Sequence, residues 1–209
     1  MDIGSTIHQL KIDLWDLNYT QWKTQILFSP IWWSYITIIV ISYAIWWKLV
    51  DKRRLTQLLL FGSLVSVGRI LIDIIGSNMN LWSYNIRESP FIPSPFLHNF
   101  TISPLAFMLL LQYTSSWKSF IIWNAVITGV YSFVLNPIMI SLHILTLYKW
   151  NYFYAFAVVF TMVSVCRAVL VGTLYLEKKY QGVSSDNSVK NLSCQPAMKP
   201  LNTDKDKDK

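Results

Sequence analysis

Residues Leu55–Gly76 read LTQLLLFGSLVSVGRILIDIIG, an apolar run interrupted by one arginine and one aspartate. Crossing a hydrocarbon core of roughly 30 Å takes about 20 helical residues, so a run of this length sets the class of the whole chain. Its small and polar members, Gly62, Ser66, Arg69, Asp73 and Gly76, recur every three or four positions and share one helical face. The rest of the run is mostly Leu, Ile, Val and Phe. That stripe has to face protein or water, because an arginine at the centre of a bilayer costs about 2.5–3.5 kcal/mol even on a lenient insertion scale. The spacing favours Arg69 and Asp73, one turn apart, neutralising each other while the glycines admit a neighbouring helix closely. A solute or ion path along the same face is the alternative.

Working outward, the 209 residues are 53% hydrophobic and only 14% charged, against roughly 25% charged in soluble domains. Four further runs have the length of a crossing, near 31–50, 97–113, 120–141 and 152–176. The first is bracketed by Trp32-Trp33 and Trp46-Trp47, as expected of rings placed at the two lipid–water boundaries. The run 97–113 is the weakest, since Pro90, Pro93 and Pro95 precede it and Pro104 interrupts it. A kinked crossing is expected there, with a re-entrant segment as the alternative. Upstream, Ile7, Leu10, Leu14 and Leu17 form an apolar helical face, which reads as a helix lying on the membrane surface or as a short helix packed on the ends of the bundle. The tail from about Tyr180, ending KDKDKDK, is too polar to build a core and is expected to be disordered. The expected fold is therefore an all-α membrane bundle of five transmembrane helices over 30–176, an interfacial amphipathic segment over 1–29, and a disordered cytoplasmic tail over 177–209.

The net charge of +7 follows topology rather than a nucleic-acid surface, and no nucleic-acid partner is expected. Lys48, Lys52, Arg53 and Arg54 surround a single Asp51 after the first crossing, Lys118 sits in the next turn on that side, and Lys178 and Lys179 follow the last crossing. The intervening loop, 77–96, has only Arg87, offset by Glu88. Positive residues favour the cytoplasm, so the N-terminus is expected outside and the C-terminus in the cytoplasm. No cleavable signal is visible, because Asp2 precedes any lysine and no compact apolar core follows. No internal repeat is visible by eye, and an odd number of crossings argues against an inverted-repeat transporter.

The remaining polar residues of the apolar runs divide by depth. Arg167 has no acid in its own run and needs an acceptor from elsewhere: Asp73, Gln112, Asn124 or a backbone carbonyl. Counting at 1.5 Å per residue puts Asp73 about 5 Å from the outer end of its helix and Arg167 about 13 Å from the inner end of its own. Two layers are expected, an outer one of Arg69, Asp73, His98 and Asn136 and an inner one of Arg167, Gln112 and Asn124. Asn136 precedes Pro137, whose missing N–H bends a helix and leaves a carbonyl in need of a partner. Enzyme signatures such as HExxH, GxSxG or a phosphate-cradling glycine loop are absent. His8, His98 and His143 lie apart, and Cys166 and Cys194 suggest neither disulfide nor metal site. No catalytic set, metal or cofactor is expected. Asn18, Asn99 and Asn191 stand in glycosylation sequons.

Taken together, Asp73 to Gly76, Trp82-x-Tyr84, Pro90, Ser103-Pro104, Gln112-Tyr113, Trp117-Lys118, Phe133 to Asn136-Pro137 and Lys149-Trp150 resemble a family of short, uncharacterised multi-span membrane proteins of endospore-forming Gram-positive bacteria. The resemblance covers about residues 30–176. In that family an acidic residue often precedes the fourth-crossing proline, where this chain has Asn136. The resemblance implies a bacterial plasma membrane and a link to sporulation or germination, and supplies no activity. The leading expectation is a scaffold or interaction protein whose partners are the lipid bilayer and a membrane protein or second copy. A carrier or channel for a small polar solute comes next, and a lipid-modifying enzyme last.

Overall fold

The computed structural model describes residues 2–86, 88–91 and 97–183. Arg87, Pro93, Pro95 and residues 184–209, with Asn191 and Cys194, lie outside the described residues, whereas 177–183, the start of the tail expected to be disordered, are helical. By contact density the chain divides into Met1–Leu170 and Val171–Lys209; in the described part of the second, the last helix runs on to Val183. The elements are α1 (Ile3–Gln21), α2 (Pro30–Leu49), α3 (Leu55–Asn78), β1 (Trp82–Tyr84), α4 (Ser103–Tyr113), α5 (Trp117–Val130), α6 (Asn136–Ser141), β2 (Leu145–Leu147) and α7 (Tyr152–Val183). Four helical stretches are long and apolar enough to cross a membrane: Pro30–Leu49, Lys52–Asn78, Trp117–Ser141 and Tyr152–Tyr180.

The run expected as a fifth crossing starts and ends where the sequence suggests, but it is not one α-helix. It opens with a π-helical turn, Leu97–Ile102, and continues as α4. At about 1.5 Å per residue it spans at most about 25 Å. Most of its residues are buried, and it packs chiefly against α3, with α2 and α5 alongside. The stretch Trp117–Ser141 is interrupted in the same way by a π-helical turn, Tyr131–Leu135, between α5 and α6. Each π-turn runs directly into a Xaa-Pro pair, Ser103-Pro104 or Asn136-Pro137. A proline inside a helix removes one N–H and crowds the carbonyl four residues before it; a locally widened turn relieves both. The Phe100 carbonyl in the first π-turn is taken up by the Tyr43 hydroxyl of α2 at 2.7 Å.

Two short strands depart from the all-α expectation. β1 and β2 pair antiparallel, with Trp82 opposite Leu147, Ser83 opposite Thr146 and Tyr84 opposite Leu145. They follow two helix ends built alike. After α3, Asn80 takes a left-handed conformation (φ 53°) while Leu81 N–H donates to the Gly76 carbonyl at 2.9 Å. After α6, His143 does the same (φ 57°) while Ile144 N–H donates to the Met139 carbonyl at 2.9 Å. Both close the helix by the six-to-one hydrogen bond that follows a left-handed residue. The repeat of helix, reversal and strand is visible in the backbone although no sequence repeat announces it.

At the opposite end, Gln112 clamps the chain: its amide donates to the Leu49 carbonyl at 2.9 Å and its oxygen accepts from Asp51 N–H at 2.8 Å. The C-terminus of α4 thus sits beside the turn joining α2 to α3, while Asn99, at the other end of the same run, reaches Asp73. Among the described residues α1 buries none of its side chains, and Ile7, Leu10, Leu14 and Leu17 are exposed. Its C-terminal end is held by Trp22, whose indole donates to the Glu88 carbonyl at 3.0 Å. Trp32 of α2 donates to the same carbonyl at 3.2 Å.

Candidate functional site: a polar centre under a strand pair

The stripe of α3 faces inward along its length: Gly62, Arg69, Asp73 and Gly76 are all buried, and Ser66 is half-buried. Arg69 is 3% exposed and Asp73 2%. The two charges do not clasp each other as the i,i+4 spacing suggests. Asp73 accepts one hydrogen bond from the Tyr84 hydroxyl of β1 at 2.9 Å and another from the Asn99 amide of the first π-turn. Arg69 donates from Nη2 to the Tyr131 hydroxyl at 3.0 Å, with its guanidinium 4.9 Å from the Tyr131 ring centroid. His98 lies against Tyr131 with its ring tilted by 36°, ring centroids 4.7 Å apart. Both π-turns therefore deliver their side chains to the same charges, His98 and Asn99 from one, Tyr131 from the other.

A cavity of about 30 Å³ is lined by Arg69, Asp73, Tyr84, Tyr131 and Asn136. One ordered water needs roughly 10–15 Å³ measured this way, so there is room for about two and not for a metabolite. Arg69 Nε and Asn136 Oδ1 are buried without a protein partner, a donor and an acceptor that water in this space can serve. Trp82 and Trp150, ring centroids 5.1 Å apart, form another side of the cavity, with Ala155 and Val159 of α7 contributing to its apolar wall. Gly76 is needed beneath the indole, since a methyl group there would lie 2.0 Å from the Trp82 ring. Burial first, then the neighbouring Asp73 carboxylate, pushes the Tyr84 phenol well above its ordinary value, so it stays protonated and remains a donor.

The outer layer read from the sequence is thus assembled: Arg69, Asp73 and Asn136 share one cavity, and His98 joins through Tyr131. The inner residues do not converge. Arg167 donates from Nη1 to the Ser116 carbonyl at 3.2 Å, and its guanidinium lies over Trp117 and Phe120 at 4.7 and 4.3 Å. Of the acceptors considered for it, a backbone carbonyl is the one used. Asn124 instead joins α5 to α7, donating to the Phe160 carbonyl and the Ser164 hydroxyl at 3.1 Å each, and Gln112 is the clamp described above. Tyr84, Asn99 and Tyr131 were not singled out as site residues from the sequence. Asn99 stands out there as a sequon, and nothing local marks either tyrosine as the partner of a charge. Among the described residues no three His, Cys, Asp or Glu gather where a metal could bind.

Searches of protein families, curated proteins and solved structures return no match to this chain.

Proposed function

We propose that the chain is a multi-pass membrane protein with five crossings, its N-terminus outside and its C-terminus in the cytoplasm, that works as a scaffold or interaction protein. The membrane reading is supported by broad apolar surface on the helices: Val40, Ile122 and Phe153 are 62, 62 and 72% exposed, side chains that water would penalise and lipid would not. The fifth crossing is supported by the reach of the run Leu97–Tyr113, from Asp73 near one end of α3 to Asp51 just before the other. The orientation is supported by Lys52, Arg53 and Arg54 lying at the Gln112 end of the bundle. The bacterial plasma membrane and the link to sporulation or germination rest on the sequence resemblance alone.

The observation that carries the scaffold reading over a carrier is the burial of Arg69 and Asp73. Both are tied into side-chain hydrogen bonds around a space fit for about two waters, which suits a polar core that fixes helix positions. Cysteine scanning from Gly62 to Gly76 in a background without Cys166 and Cys194 tests this. Inward positions should resist a membrane-impermeant thiol reagent, and crosslinking with blue-native electrophoresis should find a partner or a second copy. Rapid labelling at Arg69 and Asp73, or a solitary monomer, would overturn the reading in favour of a solute path.

A further inference from the structure

We propose that the two π-turns form one two-state switch: they shift register together, exchanging the Arg69–Tyr131 and Asp73–Asn99 hydrogen bonds for a direct pair between Arg69 and Asp73. Four enclosed polar atoms without a partner belong to these turns: His98 Nε2, Asn99 Oδ1 and Thr101 Oγ1 in Leu97–Ile102, and Ser132 Oγ in Tyr131–Leu135. A buried polar group left unbonded keeps the full penalty of losing water, so a register that gives these atoms partners competes with the one seen here. Residue type is not the reason they are idle. Ser34, Thr114 and Ser164 each donate to the carbonyl four residues earlier, at 2.7, 2.6 and 2.8 Å, and Thr24, exposed in the π-turn Trp22–Ile26, does so at 2.7 Å. Thr101 and Ser132, buried beside the charges, make no such bond.

The flanks of the second turn decide how its register changes. Upstream, Asn124 ties α5 to α7; downstream, α6 leads into β2, which is paired with β1. With both sides held, the extra residue of the π-turn is not lost but moves along the helix, turning the residues it passes, Tyr131 among them, by about 100°. The Asn136 N–H, which donates to the Tyr131 carbonyl, then changes acceptor. The Tyr131 hydroxyl leaves Arg69, and the guanidinium has the Asp73 carboxylate one turn away on its own helix. His98 lies against the Tyr131 ring and directly precedes Asn99, the donor to Asp73, so movement at one turn is felt at the other. The switch requires neither a partner nor the scaffold role proposed above.

The test is ¹⁵N relaxation dispersion on the full chain in detergent micelles, labelled at asparagine, which reports the μs–ms range of helix register shifts. The backbone amides of Asn99 and Asn136 should exchange at one common rate, and that of Asn124, on the held part of α5, should not. Thr101→Val and Ser132→Ala each remove an idle hydroxyl from the present register. Each should therefore lower the minor-state population about five-fold, and at both amides rather than only in its own turn. Ser63→Ala, on the exposed side of α3, should leave that population unchanged. Absence of exchange at Asn99 and Asn136 in the wild type, exchange at two unrelated rates or extending equally to Asn124, or populations that neither variant changes would overturn the proposal. The wild-type measurement needs no substitution, so it stands if a variant fails to fold.

Discussion

Asp73 draws its two donors from the first half of the chain and Arg69 its acceptor from the second, so the two charges fail differently when removed. Asp73→Leu strands the Tyr84 hydroxyl, the Asn99 amide and a buried guanidinium at once. A loss of about 3–5 kcal/mol is expected, the range for uncovering a buried charge, read by thermal unfolding in detergent. Replacing Arg69 by Met together with Asp73 by Leu should cost less than the sum of the single changes, by roughly 0.5–3 kcal/mol of coupling. Tyr84 gives a pH signature. Its folded-state value is raised above the ordinary 10.0, so the folded protein holds this proton more tightly than the unfolded chain. Its contribution is complete below the unfolded value and is lost as pH rises through the folded one. Alkaline titration of stability should therefore fall less steeply for Tyr84→Phe than for wild type, on top of a loss of about 1–3 kcal/mol from the missing donor.

Among the elements, the strand pair is the one most dependent on a single small residue. Gly76→Ala drives a methyl into the Trp82 ring, a rigid group that cannot bend aside, and should cost about 1–3 kcal/mol while shifting the tryptophan fluorescence of the cover over Asp73. Helix positions were legible from the sequence because apolar length and loop charge act locally: α2, α3 and α7 lie where the runs place them, and the inward stripe of α3 follows from its three-and-four spacing. Pro104 and Pro137 correctly announced interruptions. They did not reveal that each interruption would be a π-turn, because that choice depends on whether a neighbouring helix can use the displaced groups. β1 and β2 were missed because three residues apiece carry too little periodicity, and each strand exists only through pairing with the other. The site was half legible for the same reason. Arg69, Asp73 and Asn136 are conspicuous as polar residues in apolar runs, whereas Tyr84 and Tyr131 look like ordinary aromatics until the fold sets them against a charge.

Across the whole molecule, the ends of the bundle are distinguishable by accessibility. With Cys166 and Cys194 replaced, a cysteine at Asn85 or His143 should react with an impermeant reagent added to intact cells, and one at Lys52 or Ser116 only after lysis. The reverse pattern would invert the orientation. The spread of partners around α3 also bears on the order in which the chain is made. Tyr84 and Asn99 follow Asp73 by 11 and 26 residues, but Tyr131 follows Arg69 by 62. At about 5–20 residues per second, ribosomal synthesis takes roughly 3–12 s to reach that tyrosine. During that interval the only opposite charge α3 can offer its arginine is its own aspartate one turn away. On the membrane reading proposed above, the ion pair that the sequence suggests, and that other partners replace in the finished fold, is the arrangement expected while α3 enters the bilayer ahead of those partners.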